Sequence, residues 1–183
     1  MTKPQHRANL FMDRDKDPRE GGARLGDERA TLEEFLRGQR LTLQLKCEGL
    51  DPEQLARRAV EPSTMSLLGL LRHMADVELG WFRRRFAGHD VPKRYQTEDD
   101  PDGDFNGAVA DQAVVDDAWA AWREEVSFAE QFARETDLGF VGVDSNGDPI
   151  SLREALVHMI EEYARHNGHA DLLRERIDGR LGQ

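Results

Sequence analysis

Between Leu152 and Ile177 the residues Leu152, Leu156, Met159, Tyr163, His166, Ala170, Leu173 and Ile177 follow one another in alternating steps of four and three. That rhythm is one face of an α-helix about seven turns long, and an apolar face of this length must bury itself against other helices. A histidine, His166, holds one of its central places. Glu162 lies one turn before it and His169 one turn after it, on the same side. The constraint is therefore double: the helix has to pack, and it has to pack around polar groups.

Three more amphipathic stretches accompany this one. The first spans about Asp27 to Glu48, with Leu32, Leu36 and Leu43 in phase and Gln39 and Lys46 interrupting them. Thr31 and Glu34 have capping-box spacing within it. The second covers about Ser66 to Phe86. The third covers about Val114 to Glu135, where Val115, Trp119, Trp122, Val126, Ala129 and Ala133 recur at helical spacing. The fourth helix opens at Ser151, again with a capping-box match to Glu154, and stops before Gly179. Four such helices predict an all-α four-helix bundle.

Loop length narrows the topology. The segment between the second and third helices, residues 87–113, is long and rich in Asp, Gly and Pro. A helix of about 20 residues is about 30 Å long, and a chain returning that distance starts a parallel neighbour. The expected order is therefore up-down-down-up, with the crossover between helices two and three covering the mouth of any site. VGVDSNGDPI, before the fourth helix, carries an Asn-Gly turn signal for a small β-hairpin. Residues 1–26 are polar and Gly-bearing, which predicts a flexible arm with Leu10 and Phe11 as its docking point, followed by one domain over 27–183.

The 36 acidic against 25 basic side chains give a formal charge of −11, which disfavours nucleic acid and anionic membrane surfaces as partners. No run approaches the roughly 20 apolar residues of a membrane span, and no leader of signal-peptide character is seen, so a cytoplasmic protein is expected. The single cysteine, Cys47, excludes an internal disulfide and a Cys-rich zinc site and is expected to be a buried, inert thiol. The run WFRRRF (81–86) fans its three arginines over about 200° of helix, which predicts a solvated helix end rather than one patch.

On the second helix His73 lies between Leu70 and Val77 and faces inward with them. His73, Glu162 and His166 then admit two readings. Each is separately hydrogen-bonded, Glu162 to an arginine, or all three converge on one ion. Two histidines and a carboxylate leave positions for water or substrate, which is the character of a catalytic site. Such donors suit zinc, and also Fe(II), Ni(II) or Mn(II). A di-iron site fits worse, because the spacing here is Glu-x-x-x-His and occurs once.

LLGLLRHMADVELGWF followed by HMIEEYARHNGHADLLRERIDG resembles the DinB-like superfamily of metal-binding four-helix bundles, in particular its actinobacterial branch of mycothiol-dependent enzymes. The resemblance covers about residues 28–178. It implies an up-down-down-up bundle and a divalent metal held by His73, Glu162 and His166. His169 is then a proton shuttle, a fourth ligand or a partner of His166. The implied activity is S-transfer or isomerisation with a mycothiol-like thiol and an electrophilic substrate; apart from the resemblance, a homodimer is among the expected partners. Metal-assisted hydrolysis, or a binding module with no catalysis, are the rival expectations.

Overall fold

The structure, a computed structural model, describes residues 11–22 and 24–181. It is mostly helical. Four long helices carry the core: α1 (Glu28–Cys47), α3 (Leu67–Glu78, prolonged as a π-helix over Leu79–Phe86), α5 (Gln112–Glu135) and α6 (Leu152–Asp178). Two short helices, α2 (Pro52–Ala56) and α4 (Gly103–Asn106), lie in the connections. A two-stranded antiparallel ribbon, β1 (Val141–Val143) with β2 (Pro149–Ser151), precedes α6. No described helix is long and apolar enough to cross a membrane.

Local signals set the helix ends. Ser151 accepts the Glu154 N–H, and Gly179, at φ +79° where residues with a Cβ are strained, closes α6. At α1 the capping residue is Asp27, which accepts the Ala30 N–H, and not Thr31 as its spacing to Glu34 suggests. The Thr31 hydroxyl bonds the Asp27 carbonyl from inside the first turn. An aspartate four residues upstream captures the free N–H groups first.

Contacts between helices fix which pairs run together. Glu28 meets Arg153, Gln39 meets Asn167, and Lys46 meets Asp171, so positions along α1 and α6 climb together. Along α3 and α5, Arg83 meets Glu125 and Phe86 meets Phe132, again climbing together. Between α3 and α6 the order reverses: His73 faces His166 and Trp81 faces His158.

A buried polar chain links all four. The Arg40 guanidinium (α1) donates two bonds, of 2.7 and 2.8 Å, to the Glu78 carboxylate (α3). The Tyr163 hydroxyl (α6) donates to Glu78 at 2.8 Å, and the Trp122 indole N–H (α5) donates to that hydroxyl at 2.9 Å. Burial opposes the Arg40 charge, yet the adjacent Glu78 carboxylate holds the guanidinium protonated. Lys46, which breaks the apolar rhythm of α1, is buried with its ammonium 2.6 Å from Asp171 and over the Phe11 ring. Phe11 is thus packed against the helices, and Arg180 donates to its carbonyl; Leu10 lies outside the described residues.

Candidate metal centre

α3 and α6 meet at His73, Glu162 and His166, and each side chain presents one donor atom within 4.8 Å of the other two. Helical spacing explains the α6 half of the cluster, since Glu162 and His166 are one turn apart. Packing supplies the rest. The His73 and His166 rings meet at 4.8 Å between centroids, and Phe105 stacks on His73. Phe105 comes this near because residue 69 is glycine, where a Cβ would stand 2.6 Å from the Phe105 ring.

Both histidines have their Nδ1 engaged away from the cluster. His73 Nδ1 lies 2.8 Å from the fully buried Asp104 carboxylate, and His166 Nδ1 lies 3.4 Å from His169 Nδ1. The Nδ1 proton of His73 then goes to Asp104, leaving its Nε2 lone pair for the cluster. Burial by itself would raise the Asp104 carboxyl; the bonds from His73, Gln96 and the Phe105 N–H override this and hold it below its ordinary value. His166 is pushed down to about 4, first by burial and then by the repulsion of His73 and His169, once protonated, and of Arg165. Its imidazole is neutral at pH 7.

Among the described residues Glu162 has no arginine partner. His158 Nε2 stands 3.5 Å away on one side and His166 Nε2 3.6 Å on the other. Its side chain keeps a quarter of its surface exposed and lines a cleft of about 700 Å³. His73, Val77, Trp81, Arg84, Arg85 and Val143 are among the walls of that cleft.

The crossover, residues 87–113, reaches the cleft but is pinned rather than loose. Asp76 of α3 accepts the N–H groups of Arg94, Tyr95 and Gln96. Arg72 donates to the Gly103 and Asp104 carbonyls while lying over the Tyr95 ring. One helix face thus holds the segment that brings Asp104 to His73.

Asp104 is the residue that sequence reasoning missed. It sits in the run TEDDPDGD, where nothing in spacing separates it from its acidic neighbours. The arginine run also divides differently from expectation: Arg83 turns to Glu124 and Glu125 on α5, whereas Arg84 and Arg85 line the cleft. Cys47 is buried on the other side of α3's start, near the Leu67 carbonyl, and burial pushes its thiol up to about 12.

Residues 31–179 match the family described as mycothiol-S-transferase, over well more than half of the chain. No curated protein and no solved structure matches it.

Proposed function

The chain belongs to the mycothiol S-transferase family, and from that premise we propose that it is a metal-dependent S-transferase joining a mycothiol-like thiol to an electrophilic carbon. The observation that carries this reading is the donor cluster: three side chains from two helices within 4.8 Å, of which His73 and Glu162 line an open cleft.

The donor set fits a divalent ion, zinc foremost. It offers a carboxylate, a histidine that is neutral at pH 7, and two rings whose Nδ1 atoms are already engaged. Protein ligands that number three leave room for substrate. A bound ion there would supply Lewis acidity that favours the deprotonated form of a thiol. Asp104 and His169 are positioning residues in this scheme, orienting His73 and His166. The thiol loses its proton to water at the cleft mouth. Its sulfur then forms a bond to the electrophilic carbon as the leaving group departs with its electron pair.

The frame for this chemistry is an up-down-down-up four-helix bundle. Its support is the sense of the contacts: α1 with α6 and α3 with α5 climb together, whereas α3 and α6 oppose. A cytoplasmic setting, where small thiols stay reduced, suits the reading.

The test is elemental analysis of protein purified without a metal-affinity tag, followed by thiol-dependent turnover of a generic electrophile. One divalent ion per chain and turnover that requires mycothiol are expected. Protein with no affinity for any divalent ion would end the enzyme reading, and turnover that continues without thiol would mean hydrolysis.

A further inference from the structure

We propose that Arg84 and Arg85, on the cleft wall away from the metal donors, bind a carboxylate of the electrophilic substrate, so that the enzyme selects acidic electrophiles. The word electrophile rests on the thiol-transfer reading above; the anion site does not.

The two arginines differ from Arg83 in what they lack, and both line the cleft. Arg83, their neighbour in the run, has its guanidinium committed to Glu124, Glu125 and the Phe128 ring. Among the described residues Arg84 and Arg85 have no ion pair or hydrogen bond of their side chains, although the chain carries an acidic surplus of −11. Arg85 is held in place over the Trp81 ring at 4.7 Å, and Trp81 packs on His158, the neighbour of Glu162. Burial, with the like charge of Arg84, makes Arg85's charge harder to sustain, and the attraction of Asp144 offsets this only in part. Three of the acids nearby are engaged by other groups. Asp76 receives three backbone N–H groups, Asp144 in the β1–β2 turn receives those of Asn146 and Asp148, and Glu162 belongs to the donor cluster. Asp90 stays exposed on the rim. Two guanidinium groups lining one cleft, Arg85's partly desolvated, offer planar donors that suit a carboxylate.

Position along α3 says how such a substrate lies. His73, Val77, Gly80 and Arg84 follow in steps of four, three and four, and all of them line the cleft. The rise from His73 to Arg84 is about 16 Å, much of which the arginine side chains span by reaching back. The substrate thus places its reacting carbon near the donors, its apolar body against Val77, Trp81 and Val143, and its anionic end at the arginines. Mycothiol, an N-acetylcysteine in amide linkage to a sugar, has no carboxylate to offer, so the anion belongs to the electrophile. Asp90 and Glu162 in the same cleft favour a singly charged group over a phosphate dianion.

The experiment compares an aryl haloacetamide bearing a para-carboxylate with its para-carboxamide, in wild type, Arg84→Gln/Arg85→Gln and Arg83→Gln. The wild type is expected to prefer the acid in kcat/KM by about tenfold or more, as a charge-assisted pair would give. The ratio should fall towards one in the double variant, persist in Arg83→Gln, and be partly kept in Arg84→Lys/Arg85→Lys. Titration calorimetry with unreactive 4-acetamidobenzoate supplies the readout independent of turnover. Binding that weakens with salt and about tenfold in the double variant supports the site even if neither electrophile is consumed, in which case only the thiol-transfer reading fails. Equal binding in wild type and double variant overturns the proposal. So does a carboxylate preference that follows the thiol, seen with N-acetylcysteine against its methylamide, instead of the electrophile.

Discussion

His73 and Asp104 stand 2.8 Å apart, a helix residue and a crossover residue joined through Nδ1 and a fully buried carboxylate. This contact settles which ring nitrogen of His73 turns towards Glu162 and His166. It also links the long crossover to the donor cluster, because Gln96 donates to the same Asp104 oxygen. Asp104→Asn is therefore expected to lower affinity for zinc about 10- to 100-fold with the helical circular dichroism kept. Competition with a chromophoric chelator measures it, and an unchanged affinity would remove Asp104 from the site.

The ligands themselves should separate affinity from stability. Glu162 is a quarter exposed, so Glu162→Gln is expected to weaken metal binding while shifting the stability of the metal-free protein by less than about 0.5 kcal/mol. His166→Ala should abolish metal binding and thiol-dependent turnover with the helices still formed. Melting curves with and without zinc check both. A large loss of metal-free stability in Glu162→Gln would mean that the carboxylate serves folding.

Acid should unfold the metal-free protein partly through His166. Its native value of about 4 lies below the ordinary 6.5, so between these values the unfolded chain binds more protons. Stability then rises with pH through that window and is lost as the pH falls. Wild-type protein stripped of metal is expected to melt several degrees lower at pH 5 than at pH 7, and the difference should shrink in His166→Gln. Equal differences in the two proteins would assign the acid sensitivity to other groups.

The Arg40–Glu78 pair is buried, with Tyr163 and Trp122 completing its hydrogen bonds. Removing one charge leaves the other unpaired in the core, so Arg40→Met is expected to destabilise by about 3–5 kcal/mol. Tyr163→Phe, which leaves the Trp122 N–H without its acceptor, should cost about 1–3 kcal/mol. Urea titration followed by tryptophan fluorescence gives both values.

Cys47 is almost fully buried, and its thiol is held up to about 12. The native protein should not react with Ellman's reagent at pH 8, and one thiol should appear in denaturant. Above the ordinary value of 9.0 the unfolded chain loses this proton first, so stability falls as pH rises from there towards 12. Rapid reaction of the native protein would show that the region around α1's end opens.

Periodicity alone placed the four long helices within a residue or two and set Glu162, His166 and His73 on inward faces. It could do so because a helix face depends on residues three and four apart, a relation printed in the sequence itself. The tight turn of the small ribbon was readable from Asn146-Gly147 for the same local reason. What joins distant segments was not readable. Asp104 reaches His73 only because Arg72 and Asp76 fasten the crossover against α3, and Arg40 finds Glu78 only once α1 and α3 pack. Arg83 parts from Arg84 and Arg85 because α5 lies on one side of that helix and the cleft on another. These relations belong to the side on which one element packs against the next, which local spacing does not encode and which only burial of the shared core decides.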